Sequence, residues 1–453
     1  MRIKALFSLA ALGYAGLALA QAQTTIVEEK KTETVTVVVK EAPKPPDFVF
    51  ELHGFVSTTL WMQDAGFGLN SNNPANGQAA LNVIKTFTED KPLFGADIRQ
   101  TRLNFSVRGP QVIGATPKAV VELDFFGGDS PGGFGDVSVW PRLRIAYLEL
   151  NWGAGRNIIQ IGQQNQLTVG YIPQTLRGIA FPMTYTAGTL GWRQPGIWGF
   201  HTFGDQTRFE FAWSIQRSGW ANNAQVSFYN GGVSAGIPAF EARGKLMFGK
   251  ALDLWISGHW SQADRNGPDA IATTNPTSST ITTALGIVGM KTDIGPFALA
   301  GSAWYGKNAG PLLGNVLQFS TAVNGTDIFG WGAWGQIGFN VMQGLSLWYT
   351  YGIDHPSYEN IFQANLPVLR NNNQIGMIRY QTGALAFGFE WLYSRTTYNK
   401  SNSISTIQVG SSSGSVAVVP VGAPILTTNS DAQLRDNNVL TGSQFSLSAN
   451  YYF

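Results

Sequence analysis

QFSLSANYYF, residues 444–453, closes the chain, and its alternation decides the fold. Gln444, Ser446, Ser448 and Asn450 fall on one side of an extended segment; Phe445, Leu447, Ala449, Tyr451 and Phe453 fall on the other. One face is small and polar, the other wide and apolar. An isolated strand of this kind leaves its backbone groups unpaired, so it needs neighbours on both edges.

Working back from the end, the same alternation recurs. RLNFSVR (102–108) sets Leu103, Phe105 and Val107 against Arg102, Asn104 and Arg108. VVELDFF (120–126) sets Val121, Leu123 and Phe125 against Glu122 and Asp124. FEFAWSI, ALDLWISGHW, LSLWYTYGI and LAFGFEWLY repeat the pattern, with small or polar residues on the second face and Trp and Tyr near segment ends. Short turns are expected at 154–156, 204–206, 249–250, 295–296, 343–344 and 383–384. Long polar loops are expected at about 65–96, 127–140, 167–192, 219–238, 265–280, 310–330, 357–372 and 400–437. The count is about sixteen strands, with roughly fourteen or eighteen as alternatives, as in an antiparallel transmembrane β-barrel.

Composition agrees. The 453 residues are 44% hydrophobic and 13% charged, with 53 Gly, 14 Trp and no Cys. Ordinary soluble domains carry about 25% charge, yet beyond the N-terminus no apolar run is long enough for a membrane helix. Barrels spread their apolar residues over alternate positions, which reconciles the two. MRIKALFSLAALGYAGLALA reads as a signal peptide over 1–20, cleaved after Ala20 or Ala22. Two of the 30 basic side chains leave with it, so 28 bases face 28 acids and the net charge implies no partner, nucleic acid included. Residues 21–47 read as a Pro-broken periplasmic extension, and 48–453 as the barrel. The short turns and both ends face the periplasm; the terminal Tyr451 and Phe453 resemble the outer-membrane assembly signal read by the barrel assembly machinery.

A barrel of about sixteen strands is too wide for side chains to fill and encloses water. Parity places Arg102, Glu122 and Asp124 in the lumen. In PRLRIAY (141–147) it places Arg142 and Arg144 inside and Leu143, Ile145 and Tyr147 outside. Glu149 then falls on the outer face, which calls for a bulge or marks the membrane boundary. Each arginine has a second reading as a wall salt bridge to Glu122, Asp124 or Glu241. Together, three arginines against two acids leave a positive wall, which favours anions. Arg177, Arg193, Arg208, Arg243, Lys245 and Arg379 are further lumen candidates. Residues 167–192 hold one arginine and no acid; this apolar loop lies either against the barrel or against a neighbouring loop or subunit.

ADIRQTRLNFSVRGP, VVELDFFGGD, PRLRIAYLELNWGAGRNIIQIGQ and GWRQPGIWG, within 97–200, resemble the DcaP-like outer-membrane porins of Gram-negative bacteria. The resemblance implies a trimeric, sixteen-stranded porin that admits small anionic solutes such as dicarboxylates, with Arg102, Glu122, Asp124, Arg142 and Arg144 at its constriction. The extension is too short and Pro-broken for the family's coiled coil, and the second half matches only in strand rhythm. Four His, no Cys and no G-x-S-x-G elbow give no expectation of an enzyme, a metal or a cofactor. The rival reading is a structural or adhesive barrel that displays residues 400–437.

Overall fold

The computed structural model describes residues 47–67, 82–84, 92–131, 137–219, 231–264, 280–318, 326–364, 366–399 and 439–453. The signal segment, the extension up to residue 46 and the display loop 400–437 lie outside the described residues.

The main sheet contains seventeen segments. Two of them, Leu93–Asp97 and Arg102–Arg108, both pair antiparallel with the first strand and form one strand interrupted at 98–101. Sixteen strands result. They are β1 (Val49–Gln63), β2 (the interrupted pair), β3 (Thr116–Asp124), β4 (Arg142–Trp152) and β5 (Asn157–Asn165). Next come β6 (Arg193–Phe203), β7 (Thr207–Gln216), β8 (Ala239–Phe248), β9 (Leu252–Asp264) and β10 (Thr280–Ile294). The circuit ends with β11 (Phe297–Lys307), β12 (Phe329–Met342), β13 (Leu345–Pro356), β14 (Val368–Thr382), β15 (Leu385–Tyr398) and β16 (Val439–Tyr452). Each strand pairs antiparallel with the next, and β16 returns to β1 from Tyr452 opposite Phe55 to Gln444 opposite Gln63. Closure extends to the last residue: Gly54 and Phe453 exchange two backbone hydrogen bonds, of 3.0 and 3.1 Å. A side chain at Gly54 would meet the Arg102 carbonyl, so the seam requires glycine there.

The terminal strand keeps its two faces. Phe445, Leu447 and Tyr451 are exposed, and Gln444, Ser446, Ser448 and Asn450 are buried inside. Each unpaired N–H or C=O in hydrocarbon costs several kcal/mol, about the stability of a small domain once a strand edge is left open, so the sheet has to close. No helix among the described residues is long and apolar enough to cross a membrane. The strands cross instead.

Among the described residues the pairing register slips at three places, near Val341, near Leu369 and in the arginine-bearing wall. In the β3–β4 pairing Glu122 lies opposite Ile145 but Leu123 lies opposite Leu143, so Arg144 is an extra residue in a β-bulge. Ile145 and Tyr147 therefore point inward, a correction to strict alternation. Leu148 is exposed, and Glu149 is inside, where it accepts a hydrogen bond from Gln160 at 2.8 Å.

Residues 166–192, between β5 and β6, fold into the lumen. The Leu167 N–H donates to Glu241 on β8 at 2.5 Å, and the Gln174 N–H to Gln336 on β12 at 2.7 Å. Glu390 on β15 accepts from the Thr175 hydroxyl and from the Leu176 and Arg177 N–H groups at 2.6 to 2.8 Å. On the return, Asn373 and Asn371 of β14 donate to the Met183 and Thr186 carbonyls. The inner wall is not uniformly polar. Trp255, Leu285, Ile287 and Trp304 face inward and pack with Leu190 and Leu312. Those residues follow the alternation but take their hydrophobic cover from the loop instead of from lipid.

Candidate functional site

Arg102, Glu122, Asp124, Arg142 and Arg144 come together on the inner faces of β2, β3 and β4. The Arg142 guanidinium grips Asp124 in bidentate fashion, at 2.9 and 2.6 Å. The Arg144 guanidinium, carried inward by the bulge, spans both acids, at 2.8 Å from Glu122 and 2.7 Å from Asp124. Arg102 is 3.6 Å from Glu122 and donates to the Ile179 carbonyl of the inward loop at 3.3 Å. Three guanidinium groups thus share two carboxylates. Bidentate geometry and burial make these pairs strong and rigid. The Arg142 side chain keeps 21% of its surface and Arg144 only 8%, so Arg142 faces the lumen and Arg144 lies beneath.

Aromatic rings frame the exposed arginine. The Arg142 guanidinium lies 5.4, 5.1 and 5.8 Å from the ring centres of Phe126, Phe181 and Trp192, the last two on the inward loop. Arg193 stacks on Trp192 at 4.3 Å, and Arg142 and Arg144 act on it electrostatically. Guanidinium groups are attracted to ring faces, and this fastens the loop to the arginine wall. The positive charge of the wall and the position of the loop are therefore one construction.

The remaining candidates scatter. Arg177 is 1% exposed, and its guanidinium nitrogens make no hydrogen bond among the described residues. Burial pushes it down to about 10 against the pull of Glu390 and Asp97, so it stays charged at neutral pH but does not line open water. Arg208 is exposed near the short-turn end of β7. Arg379, on β14, donates to Gln174 of the loop at 3.3 Å and to Gln381 at 2.7 Å. Arg243 and Lys245, on β8, pair with Glu210 at 3.1 Å and Asp253 at 3.0 Å.

One cluster escaped sequence reasoning. Glu241 contacts His259 Nδ1 at 2.8 Å, and His259 Nε2 contacts Ser261 Oγ at 2.9 Å, all buried. The order of groups is that of a hydrolytic triad, but Glu241 also accepts the Leu167 N–H, so the chain of bonds fastens the start of the loop. Inward parity of Glu241, His259 and Ser261 on paired strands was the available signal.

No protein-family model matches the sequence, and no curated protein matches it. Solved structures do. The outer membrane channel DcaP of Acinetobacter baumannii superposes with a TM-score of 0.62 at 15% identity, over 90% of this chain and 97% of that one. The fold is that of an outer-membrane porin. An anion-selective porin from Comamonas acidovorans gives a TM-score of 0.53 at 12% identity, over 90% of this chain and 100% of that one. OmpT, an outer membrane protein of Vibrio cholerae, gives 0.50 at 11%, over 91% and 100%. With its closed sheet and its exposed apolar belt, this porin-fold chain is an integral outer-membrane protein.

Proposed function

We propose that the protein is a porin: a passive channel for small hydrophilic solutes that favours anions, dicarboxylates among them. The observation that carries the reading is the wall of three arginines on two carboxylates, held beside a loop that narrows the lumen. A cationic constriction lowers the energy of an anion where the path is narrowest and raises that of a cation. In this reading Arg102 and Arg142 meet the solute, while Arg144, Glu122 and Asp124 hold them in place. The names of the A. baumannii channel and of the anion-selective C. acidovorans porin support transport over display.

The assembly is a homotrimer in the same reading. On the strands, exposed Trp and Tyr are Tyr305, Trp331, Tyr349, Tyr351, Tyr380 and Tyr451, with Trp140 flanking β4, whereas the outer faces of β1, β2, β3 and β5 expose aliphatic side chains and Phe. Interfacial aromatics mark lipid contact, so their absence favours the early strands as the face that meets other subunits.

Liposome swelling tests the transport reading. Proteoliposomes should swell faster in a dicarboxylate than in a neutral sugar of similar size, and slowest in a diamine. Equal rates for all three would remove the anion preference. No swelling would favour the display barrel.

A further inference from the structure

A second set of cations lies on the inner wall away from the arginine cluster. Lys245 on β8, Lys291 on β10 and Arg379 on β14 each sit three residues before the last residue of their strand, Phe248, Ile294 and Thr382. Each therefore lies near the short-turn end of its strand, and all three reach the inward loop. The Lys245 and Lys291 ammonium groups lie 5.3 and 5.7 Å from the Tyr171 ring centre, and Arg379 donates to Gln174. Between those two loop residues Ile172 is exposed.

Tyr171 donates to Asp253, and burial together with that carboxylate holds its phenol well above the ordinary value, so it stays a neutral donor. Asp253 also takes Lys245. Among the described residues neither Lys291 nor Arg379 has an ion pair, so three cations face one carboxylate. In the arginine cluster, by contrast, Arg142 and Arg144 are held tightly by Asp124 and Glu122, and Arg102 lies 3.6 Å from Glu122. Cations without dedicated counter-ions are the ones free to exchange solvent for a passing anion.

We propose that Lys245, Lys291 and Arg379 form a transient binding site for solutes bearing carboxylate or phosphate groups, on the short-turn side of the loop. The proposal rests on the porin reading, since the site matters only if solute passes the loop. It adds a second anion station, on other strands, to the constriction.

The test uses the full-length protein in planar bilayers, with citrate as the probe, and counts interruptions of the open-channel current. Citrate should interrupt the wild-type current. The double variant Lys291→Gln/Arg379→Gln should lower the interruption frequency at least about fourfold, the size expected for two unit charges about 10 Å from a polyanion in a mostly aqueous lumen. Arg156→Gln, which removes an exposed short-turn charge paired with Asp205, should leave it unchanged. An unaltered frequency in the double variant overturns the site, as does a conducting wild type that citrate never interrupts. A wild type that does not conduct overturns the porin reading itself, and the site with it.

Discussion

Arg144 shows how one residue joins fold and site. As the extra residue of a bulge it enters the lumen out of turn and bridges Glu122 and Asp124. Removing it leaves two buried carboxylates to share Arg102 and Arg142. Breaking a buried pair costs about 3 to 5 kcal/mol, mostly the penalty of the charge left behind. Arg144→Gln should therefore lower the unfolding midpoint in detergent-solubilised protein clearly, and Arg102→Gln, whose one acid contact is the longer 3.6 Å, only slightly. Equal losses would mean that the cluster is not organised around Arg144. In the sequence Arg142 and Arg144 look equivalent, two positions apart on one face. The bulge that separates their roles, and that turns Ile145 and Tyr147 inward, has no local marker beyond the misplaced Glu149.

At the scale of the element, strands were legible, and of the loop 167–192 only that its apolar residues lie against the barrel or a neighbour. Alternating segments and Gly-bearing turns such as 204–206 and 383–384 gave strand positions directly, because a two-residue period and a positive φ are written into residue types. The break at 98–101 was not visible, since it depends on how Asp97 and Arg99 pair within the bend. Nor was the apolar inner wall, because alternation separates two faces without saying what covers each. Trp255 and Trp304 read like lipid-facing residues in the wrong phase until the loop is seen against them. The loop makes a prediction of its own. Glu390 is a lumen-side carboxylate, and naive electrostatics would have its removal raise the anion preference. It is instead occupied by three donors at residues 175–177. Glu390→Gln should leave ion selectivity unchanged and make the open-channel current noisier, because charged acceptors hold the loop more firmly than neutral ones. A shifted selectivity with a quiet current would contradict the anchoring role.

For the whole molecule, closure, membrane residence and an inward-folded loop follow from backbone satisfaction and from which face each side chain occupies. The proposed anion preference rests on where cations outnumber carboxylates: Arg102, Arg142 and Arg144 against Glu122 and Asp124 on one wall, and Lys245, Lys291 and Arg379 against Asp253 on others. The central claim is that this balance is positive where the path narrows. The reversal potential of the purified wild-type protein in a planar bilayer, under a KCl gradient, measures it most directly. Stepwise conductance with a reversal potential displaced toward the chloride equilibrium potential is the predicted result. Displacement toward the potassium equilibrium potential would contradict the account, because the charge that governs permeation would then be carboxylate.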